Sequence, residues 1–325
     1  MATITVVVPT IREQSINSFL TAWEKEFSGL EIIVVEDNPQ KSFKLPQWIQ
    51  HYSWEDIESE LGKNSWIIPR RSAAVRSYGF IKAWQKGSTY ILTLDDDCLP
   101  EKNYKNGFMK DILTSLKKEW ESDYWWNTLE NQIYPRGYPY ELRNKKQPTM
   151  VHHGLWSNIP DLDGITQKKY PELRTKPFKK VEKVPHGKYF PMCSMNLAFR
   201  REILPAMYFL LMGKDKNENK WPYDRFDDIW AGIFIKKICD HLGYAITSGA
   251  PSVKHSRASN TDVNIEKEKT GIPVNEWLWR EVEDIRLTSN TIEGCYLEIA
   301  KELGKKGGYW NKLSTAMEIW ISLLD

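Results

Sequence analysis

The sequence predicts an α/β protein with a parallel sheet covered by helices, because strand and helix signals alternate along its first hundred residues. Apolar runs typical of strands cover residues 4–8, 30–35 and 90–94, and helix-like patterns cover residues 15–27 and 73–86. This alternation is typical of βαβ units, whose strands pair in parallel. The chain has 325 residues, of which 41% are hydrophobic, so it can bury a large core.

The first strand follows Met1 without a basic leader, a longer apolar run or a small-residue cleavage site. No stretch approaches the ~20 apolar residues that a membrane helix needs. The four cysteines, at positions 98, 193, 239 and 295, are far apart, which favours reduced thiols over a disulfide framework. We therefore expect a soluble, cytoplasmic protein without a transmembrane segment.

Several function classes are disfavoured by charge and by missing motifs. The formal net charge is +2, which gives no global electrostatic reason to bind nucleic acid or an anionic membrane. A GxGxxG fingerprint does not follow the first strand, and the sequence has no Walker GxxxxGK[ST] motif. A flavin, an NAD cofactor and a P-loop are therefore not expected.

Polar residues follow each of the three strand-like runs. They are Pro9, Thr10, Ile11 and Arg12 after the first, Glu36, Asp37 and Asn38 after the second, and Asp95, Asp96 and Asp97 after the third. In open α/β sheets the ligand crevice lies at the carboxyl ends of the strands. We therefore expect these three clusters to meet at one edge of the sheet.

The run of three aspartates predicts a divalent metal site, because adjacent carboxylates repel one another unless a cation or donors lie nearby. In an extended segment Asp95 and Asp97 would project to the same side and could hold Mg²⁺ or Mn²⁺ against a diphosphate. A solvated acidic turn is the alternative, since turns rich in aspartate are common.

A metal-bound diphosphate also needs cationic side chains, and four arginines lie in or near the predicted loops. They are Arg12, Arg70, Arg71 and Arg76. Arg76 belongs to a helical pattern and could point into the crevice, whereas ordinary surface positions are the alternative for the other three. Asp37 is placed to accept hydrogen bonds from a base or ribose, or to cap a turn.

Two further groups could contribute to the site. Asp227 and Asp228 precede an apolar helix, where capping accounts for one carboxylate and leaves the other to face the site. His255 follows another apolar run and could supply a third metal ligand, although a lone histidine is more often a surface or core residue.

Residues 120–190 are loop-rich and are expected to cover the site. His152 and His153 lie in this segment, but no further cysteine or histidine completes a zinc-binding spacing. From about Asn275 onward apolar residues recur at helical spacing. We therefore divide the chain into a sheet domain over residues 1–275 and a helical extension over residues 276–325.

An ordered set of motifs runs through the first 260 residues. They are Val8-Pro9-Thr10-Ile11-Arg12, Asp95-Asp96-Asp97-Cys98, Arg136-Gly137-Tyr138-Pro139, and the segments at residues 153–161, 190–199, 205–209, 227–232 and 255–260. Together they resemble the reversibly glycosylated polypeptides, also known as UDP-arabinopyranose mutases. The resemblance covers residues 4 to 275 and leaves the C-terminal helices unmatched.

The resemblance implies a glycosyltransferase type A (GT-A), Rossmann-like fold, with a central mixed, mostly parallel sheet. It implies that Asp95, Asp96 and Asp97 bind a UDP-sugar with a divalent ion. Members of this family interconvert the pyranose and furanose forms of UDP-L-arabinose, form complexes, and label themselves reversibly on an arginine. Arg136 matches that arginine, and Arg143 matches a second one on which the family's activity depends.

The resulting hypothesis is a metal-dependent, flavin-free UDP-sugar mutase that forms a homo-oligomer. Arg136 would capture the sugar or position the leaving phosphate, and Asp227 or Asp228 would stabilise the sugar cation or move protons. The alternatives are a transferase that passes the sugar to a separate acceptor, and a nucleotide-sugar-binding scaffold subunit. Ser72, Ser194 and Asn38 depart from the residues usual in plant members, Asp, Gly and Gly, and bear on which sugar is held.

Overall fold

The computed structural model describes residues 3–102, 104–129, 133–256 and 259–324, so Arg257 and Ala258 of the last motif lie outside the described residues. Its centre is one mixed sheet. The strands are β1 (Ile4–Thr10), β2 (Glu31–Glu36), β3 (Gln50–Tyr52), β4 (Tyr90–Leu94), β5 (Cys98–Pro100), β6 (Glu119–Glu121), β7 (Lys146–Asn158), β8 (Val181–Lys183), β9 (Asn196–Arg200) and β10 (Ala245–His255). Their order across the sheet is β3-β2-β1-β4-β9-β7-β10-β5, with β6 beside β7 and β8 beside β10.

Helices cover the sheet and follow it along the chain. They are α1 (Glu13–Trp23), α2 (Trp54–Leu61), α3 (Arg76–Gln85), α4 (Phe108–Lys117), α5 (Gly164–Lys169), α6 (Asp227–Leu242), α7 (Thr261–Glu268), α8 (Ile272–Asn275), α9 (Leu278–Asp284), α10 (Ile292–Gly304) and α11 (Gly308–Ser322). The predicted strand at 90–94 is confirmed at its bounds, and the other predicted elements shift by a few residues. The predicted α/β architecture is confirmed.

The direction of the strands decides where a ligand can bind. β1 pairs in parallel with β2 and β4, and β7 pairs in parallel with β10. β9 is antiparallel to both β4 and β7, so β7 and β10 run in the same direction as β1, β2 and β4. The carboxyl ends of these five strands therefore meet at one edge of the sheet.

Both faces of the sheet are covered, which explains the apolar runs in β1 and β2. Val6 and Val8 face a cluster that includes Phe19 and Trp23 of α1. Val7 faces the opposite cluster, which contains residues of α3, α6, α10 and α11. Residues of a strand alternate between its two faces, so one short segment serves both cores.

The C-terminal helices predicted after residue 275 are present, and they pack on this second face. The rings of Trp230 in α6 and Trp310 in α11 have centroids 5.9 Å apart, and Trp320 Nε1 donates to the carbonyl oxygen of Pro205 at 3.1 Å. These helices share one apolar cluster with α6, so the core is continuous across residue 275. The division of the chain into two domains at that residue stays a prediction.

The expectation that residues 120–190 are mainly loop is wrong over Lys146–Asn158, which form the 13-residue strand β7. His152 and His153 are buried in its middle, where their Nδ1 atoms lie 2.9 Å and 3.0 Å from the hydroxyl oxygens of Thr247 and Ser248 in β10. The strand lacks simple polar alternation because both of its faces are covered. In the described ranges, no helix has the length and apolar character required to cross a membrane.

Candidate functional site

A cleft of 780 Å³ opens at the edge where the carboxyl ends of the parallel strands meet. Eleven of the predicted site residues line it. They are Pro9, Thr10, Arg12, Asp37, Arg71, Asp95, Asp96, Asp97, Asp227, Asp228 and His255. The three polar clusters recognised in the sequence therefore do meet at one edge.

The three consecutive aspartates have three different environments. Asp95 pairs with Arg76, Asp96 pairs with Arg12 and accepts a hydrogen bond from Thr10 Oγ1 at 2.7 Å, and Asp97 faces His255. The expected extended segment is wrong, because Asp96 and Asp97 lie in a turn that the hydrogen bond from Cys98 N to Asp95 O closes at 3.0 Å. The turn directs Asp95 towards Arg76 and the other two carboxylates towards Arg12, whose Nη2 also lies 4.0 Å from Asp97 Oδ2.

Arg76 lies beneath the cleft and does not line it. Its guanidinium is fully buried and donates to Thr93 Oγ1 at 2.8 Å, to the carbonyl of Ser194 at 3.0 Å and to Asp95. A buried arginine with this many acceptors is fixed in place. Arg76 therefore holds Asp95 and the segment before β9 at the cleft edge.

Arg12 and Asp96 form an ion pair in the cleft wall. The side chain of Asp96 is 3% exposed, whereas that of Arg12 is 39% exposed. Burial raises the pKa of Asp96, and the hydrogen bonds from Arg12 and Thr10 oppose that rise. The exposed part of the Arg12 guanidinium is available to an anion in the cleft.

One end of the cleft is built around Asp37. Its carboxylate accepts from Trp54 Nε1 at 2.7 Å and from the backbone N–H of Ser72 at 3.1 Å, and its burial raises its pKa to about 6. Arg71 lies over the Trp54 ring at 4.7 Å and donates to the carbonyl of Asp37 at 3.1 Å. Its φ of 54° places Arg71 in the left-handed region. Polar groups and flat side chains thus meet where β2 ends.

Asp97 and His255 are the described pair that best suits a metal ion. His255 Nδ1 lies 2.8 Å from the carbonyl oxygen of Ile159, which can only accept, so Nδ1 carries the proton and Nε2 is the acceptor. Nε2 lies 3.9 Å from Asp97 Oδ2. No three His, Cys, Asp or Glu side chains group as metal ligands in the described residues. One carboxylate and one imidazole fit a divalent ion that takes its other ligands from a diphosphate and water.

Asp227 and Asp228 form the first turn of α6. Asp228 Oδ2 accepts from the backbone N–H and the hydroxyl of Ser194, at 2.8 Å and 2.7 Å. Asp227 is buried, and its Oδ2 has no hydrogen-bond partner in the described structure. Burial raises the pKa of both carboxyls. At Asp227 the negative charge of Asp228 raises the pKa further, whereas at Asp228 the hydrogen bonds from Ser194 oppose the rise. The expected pair of carboxylates is thus present: Ser194 holds Asp228, and Oδ2 of Asp227 has no partner within the described residues.

Sequence reasoning gave no role to several charged residues of the cleft, among them Asp161, Arg225 and Glu268. Asp161 ends the motif at 153–161 but received no role; burial and the charge of Asp228 raise its pKa. Arg225 precedes Asp227 by two residues and donates from Nε to Glu268 Oε1 at 2.9 Å. The motif at 153–161 could have drawn attention to Asp161, and the position two residues before Asp227 could have drawn attention to Arg225. Nothing in the sequence indicated Glu268.

The structure does not bring Arg136 and Arg143 into the cleft. Both belong to a loop whose base is closed by the hydrogen bond from Ser122 N to Lys145 O at 3.0 Å. β7 begins at Lys146, so this loop joins the sheet at the edge opposite the cleft. Arg136 is exposed, and the Arg143 guanidinium lies 3.7 Å from the Tyr140 ring. Their predicted catalytic roles stay predictions.

The cleft is strongly acidic. Within the described residues, ten carboxylates line it against four lysine or arginine side chains. The acids are Asp37, Asp95, Asp96, Asp97, Asp161, Asp163, Asp224, Asp227, Asp228 and Glu268, and the bases are Arg12, Arg71, Arg225 and Lys267. A diphosphate added to this surface needs further positive charge, which a divalent cation would supply.

Comparison with known families decides the relationship of the chain. Residues 2–325 match the family model described as reversibly glycosylated polypeptide. The chain belongs to the reversibly glycosylated polypeptide family. The match includes α9, α10 and α11, so the resemblance recognised over residues 4 to 275 extends through the C-terminal helices.

Relatives in this family cover nearly the whole chain. The probable UDP-arabinopyranose mutase 1 of Pisum sativum is 38% identical over 98% of this chain and 90% of its own length. The UDP-arabinopyranose mutase 1 of Arabidopsis thaliana is 37% identical over 98% of this chain and 91% of its own length. The crystal structure of S. aureus TarS matches 94% of this chain and 44% of its own at 11% identity, with a TM-score of 0.45, which does not establish a common fold.

Proposed function

We propose that this member of the family interconverts the pyranose and furanose forms of UDP-L-arabinose, or of a closely related UDP-sugar, in the acidic cleft. The observation that carries the proposal is the family match over residues 2–325, because it includes every residue of the cleft. The relatives described above are named UDP-arabinopyranose mutases. The geometry of the cleft is consistent with the needs of that reaction.

The nucleotide would lie at the end of the cleft formed by β1 and β2. Asp37, which the backbone N–H of Ser72 holds in place, would supply acceptor oxygens for a base or ribose, and the Arg71–Trp54 stack borders it. Arg12, whose guanidinium is partly exposed, would contact the diphosphate. This assignment retains the predicted nucleotide-binding roles of Pro9, Thr10 and Asp96 as parts of the same wall.

Asp97 and His255 would hold a Mn²⁺ or Mg²⁺ ion together with the diphosphate. When bound, such an ion would neutralise the charge of the leaving UDP. Asp95, predicted as a second carboxylate ligand, pairs with Arg76 and faces the same edge with 30% of its side chain exposed. Metal dependence is part of the proposal.

Contraction of the sugar ring requires proton transfer. The bond from C1 to UDP breaks and its electron pair leaves with the diphosphate; O4 then bonds to C1, and the bond from C1 to the ring oxygen O5 breaks. The same diphosphate oxygen finally bonds to C1 again and gives the UDP-furanose. O4 loses a proton and O5 gains one, so the isomerisation needs no other reactant. Asp228, held by Ser194, would accept the proton from O4, and Asp227, whose burial and neighbour raise its pKa, would carry the proton for O5.

Three further predictions from the family resemblance belong to this proposal. They are reversible glycosylation of Arg136, assembly into a homo-oligomer and location in the cytoplasm. Because Arg136 is exposed at the opposite edge of the sheet, transfer of the sugar to it would require the loop to move or another molecule to act. The carboxyls of the cleft are therefore the groups to which we assign the proton transfers.

The test is to incubate the purified protein with UDP-L-arabinopyranose and Mn²⁺ and to separate the nucleotides by chromatography. We expect a UDP-arabinofuranose peak that is absent when EDTA replaces Mn²⁺ and in an Asp97→Ala variant. Asp284→Ala changes an exposed aspartate at the end of α9, outside the cleft, and serves as the matched control. Unchanged substrate, or free UDP with sugar transferred to an added acceptor, would contradict the mutase proposal.

A further inference from the structure

We propose that Arg225 and Asp161 bind the hydroxyl groups of the sugar, that Glu268 positions Arg225 for this role, and that the subsite selects a neutral sugar. The inference rests on the proposed function, because it assigns the sugar end of the same nucleotide sugar. Asp161 and Arg225 face the cleft from different segments, one after β7 and the other just before α6.

Arg225 is held in an uncommon backbone conformation that directs its side chain. Its φ is 68°, in the left-handed region that side chains other than glycine rarely adopt. Its side chain is 32% exposed and lines the cleft. Within the described part of the chain, Nε is the only guanidinium nitrogen that donates a hydrogen bond. The terminal nitrogens, Nη1 and Nη2, are therefore available to a ligand.

Glu268 fixes the direction of this guanidinium. It ends α7, is 4% exposed, and accepts from Arg225 Nε at 2.9 Å through one oxygen. Its other oxygen accepts from the backbone N–H of Gly164 at 2.6 Å. A Cβ at Gly164 would lie 2.9 Å from the backbone nitrogen of Ile265, so the loop and α7 are in close contact. Glu268 thereby ties Arg225 to the loop that carries Asp161.

The hydrogen-bond donors of Arg225 and the acceptor oxygens of Asp161 suit the hydroxyl groups of a sugar. A hydroxyl can accept a hydrogen bond from a guanidinium and donate one to a carboxylate. Arg225 supplies a planar pair of donors, and Asp161 supplies the carboxylate. Asp161 lies close enough to both Arg225 and the reacting carboxyl Asp228 for their charges to act on it, and Asp37 lies at the far end of the cleft, beside β2. A UDP-sugar with its base near Asp37 would place its sugar here.

The charges around Arg225 indicate which sugars fit. Asp161, Asp224 and Glu268 surround this single arginine with three carboxylates, and Asp224 also pairs with Lys267 at 3.1 Å. Glu268 already neutralises the Arg225 guanidinium and Asp224 neutralises Lys267, so this part of the cleft has no positive charge left for an anionic ligand. A uronic acid would bring a further carboxylate against this wall, which like-charge repulsion disfavours. The subsite therefore selects a neutral sugar.

The experiment measures binding of UDP, UDP-L-arabinopyranose and UDP-glucuronate in the presence of Mn²⁺ by calorimetry. For the wild type we expect UDP-arabinose to bind more tightly than UDP and UDP-glucuronate to bind no more tightly than UDP. Arg225→Gln should weaken UDP-arabinose on the order of tenfold and leave UDP within about twofold. Glu268→Gln should weaken UDP-arabinose by a smaller factor, again without changing UDP. Arg280→Gln, on the exposed face of α9, is the matched control.

Several outcomes would overturn the inference. Equal loss of UDP and UDP-arabinose binding in Arg225→Gln would make Arg225 a phosphate ligand, and unchanged binding of both would exclude a role. Full recovery of UDP-arabinose binding in Arg225→Lys would show that charge alone matters and not the planar fork. Preference of the wild type for UDP-glucuronate would contradict the neutral-sugar assignment.

The proposed function fails by a separate measurement, which is the absence of isomerisation by the wild type. Binding can therefore contradict the subsite while isomerisation remains, and isomerisation can be absent while the binding differences hold. If Arg225→Gln does not fold, as its thermal unfolding would show, Arg225→Lys and Glu268→Gln provide the same comparison.

Discussion

The hydroxyl of Ser194 controls the proton affinity of Asp228 and hence the pH dependence of the proposed reaction. Its Oγ donates to Asp228 Oδ2 at 2.7 Å, beside a second bond from the Ser194 backbone N–H at 2.8 Å. Burial raises the pKa of Asp228, and both bonds lower it. A hydrogen bond to a charged group contributes ~1.5–3 kcal/mol, and ~1.4 kcal/mol corresponds to one pKa unit. Since water in the open cleft can replace part of this bond, we expect Ser194→Gly to raise the pKa by about one unit.

The assay is the pH dependence of kcat/KM for UDP-arabinopyranose. Because Asp228 would act as a base in its ionised form, the acidic limb should move to higher pH by about one unit in both Ser194→Gly and Ser194→Ala. Ser115→Ala removes a similarly buried hydroxyl in α4, far from the cleft, and should leave the profile unchanged. An unshifted acidic limb in both Ser194 variants would refute the role of this bond, and a shift to lower pH would refute its sign.

Two further predictions concern stability and the distant loop. Burial lowers the pKa of His152 to about 4 and of His153 to about 3, so their contribution to stability is complete above about pH 6.5 and is lost as the pH falls. Urea unfolding should show that the free energy of unfolding falls by about 2 kcal/mol per histidine between pH 7 and pH 5. His153→Gln should remove the share that belongs to His153, whereas His186→Gln, which changes an exposed histidine, should not alter the loss. Equal losses in the wild type and both variants would contradict the effect. Arg136→Ala should leave the Kd for UDP with Mn²⁺ within about twofold, because Arg136 does not line the cleft. A tenfold loss would place the loop at the nucleotide.

Much of the fold was predictable because it depends on local patterns. The strand at 90–94 is bounded by polar residues and was located correctly, and the helices after residue 275 followed from their apolar spacing. β7 was not recognised, because its two covered faces remove the alternation that marks a half-exposed strand. Its two histidines also look polar in sequence but bond to hydroxyls of β10.

The candidate site was predictable in part. Asp37 and Asp97 come just after clear strands, and the rule that ligands bind at the carboxyl ends of parallel strands brought them together; Asp228 begins a clear apolar helix. Arg76 was expected to face the crevice but instead supports Asp95 from below, since the first turn of α3 is buried. No sequence pattern indicated Glu268, because its partners lie 43 and 104 residues away along the chain.

The sequence by itself determined the family, the α/β class and the polar clusters that end three strands, because each of these can be recognised from residues that are neighbours along the chain. Only the tertiary structure decided that Asp95 pairs with Arg76 and that Asp97 faces His255. It also decided that Arg136 lies at the opposite edge of the sheet from the cleft. The physical reason is that strand direction and turn geometry set which distant side chains meet, and neither is encoded in the spacing of residues along the chain.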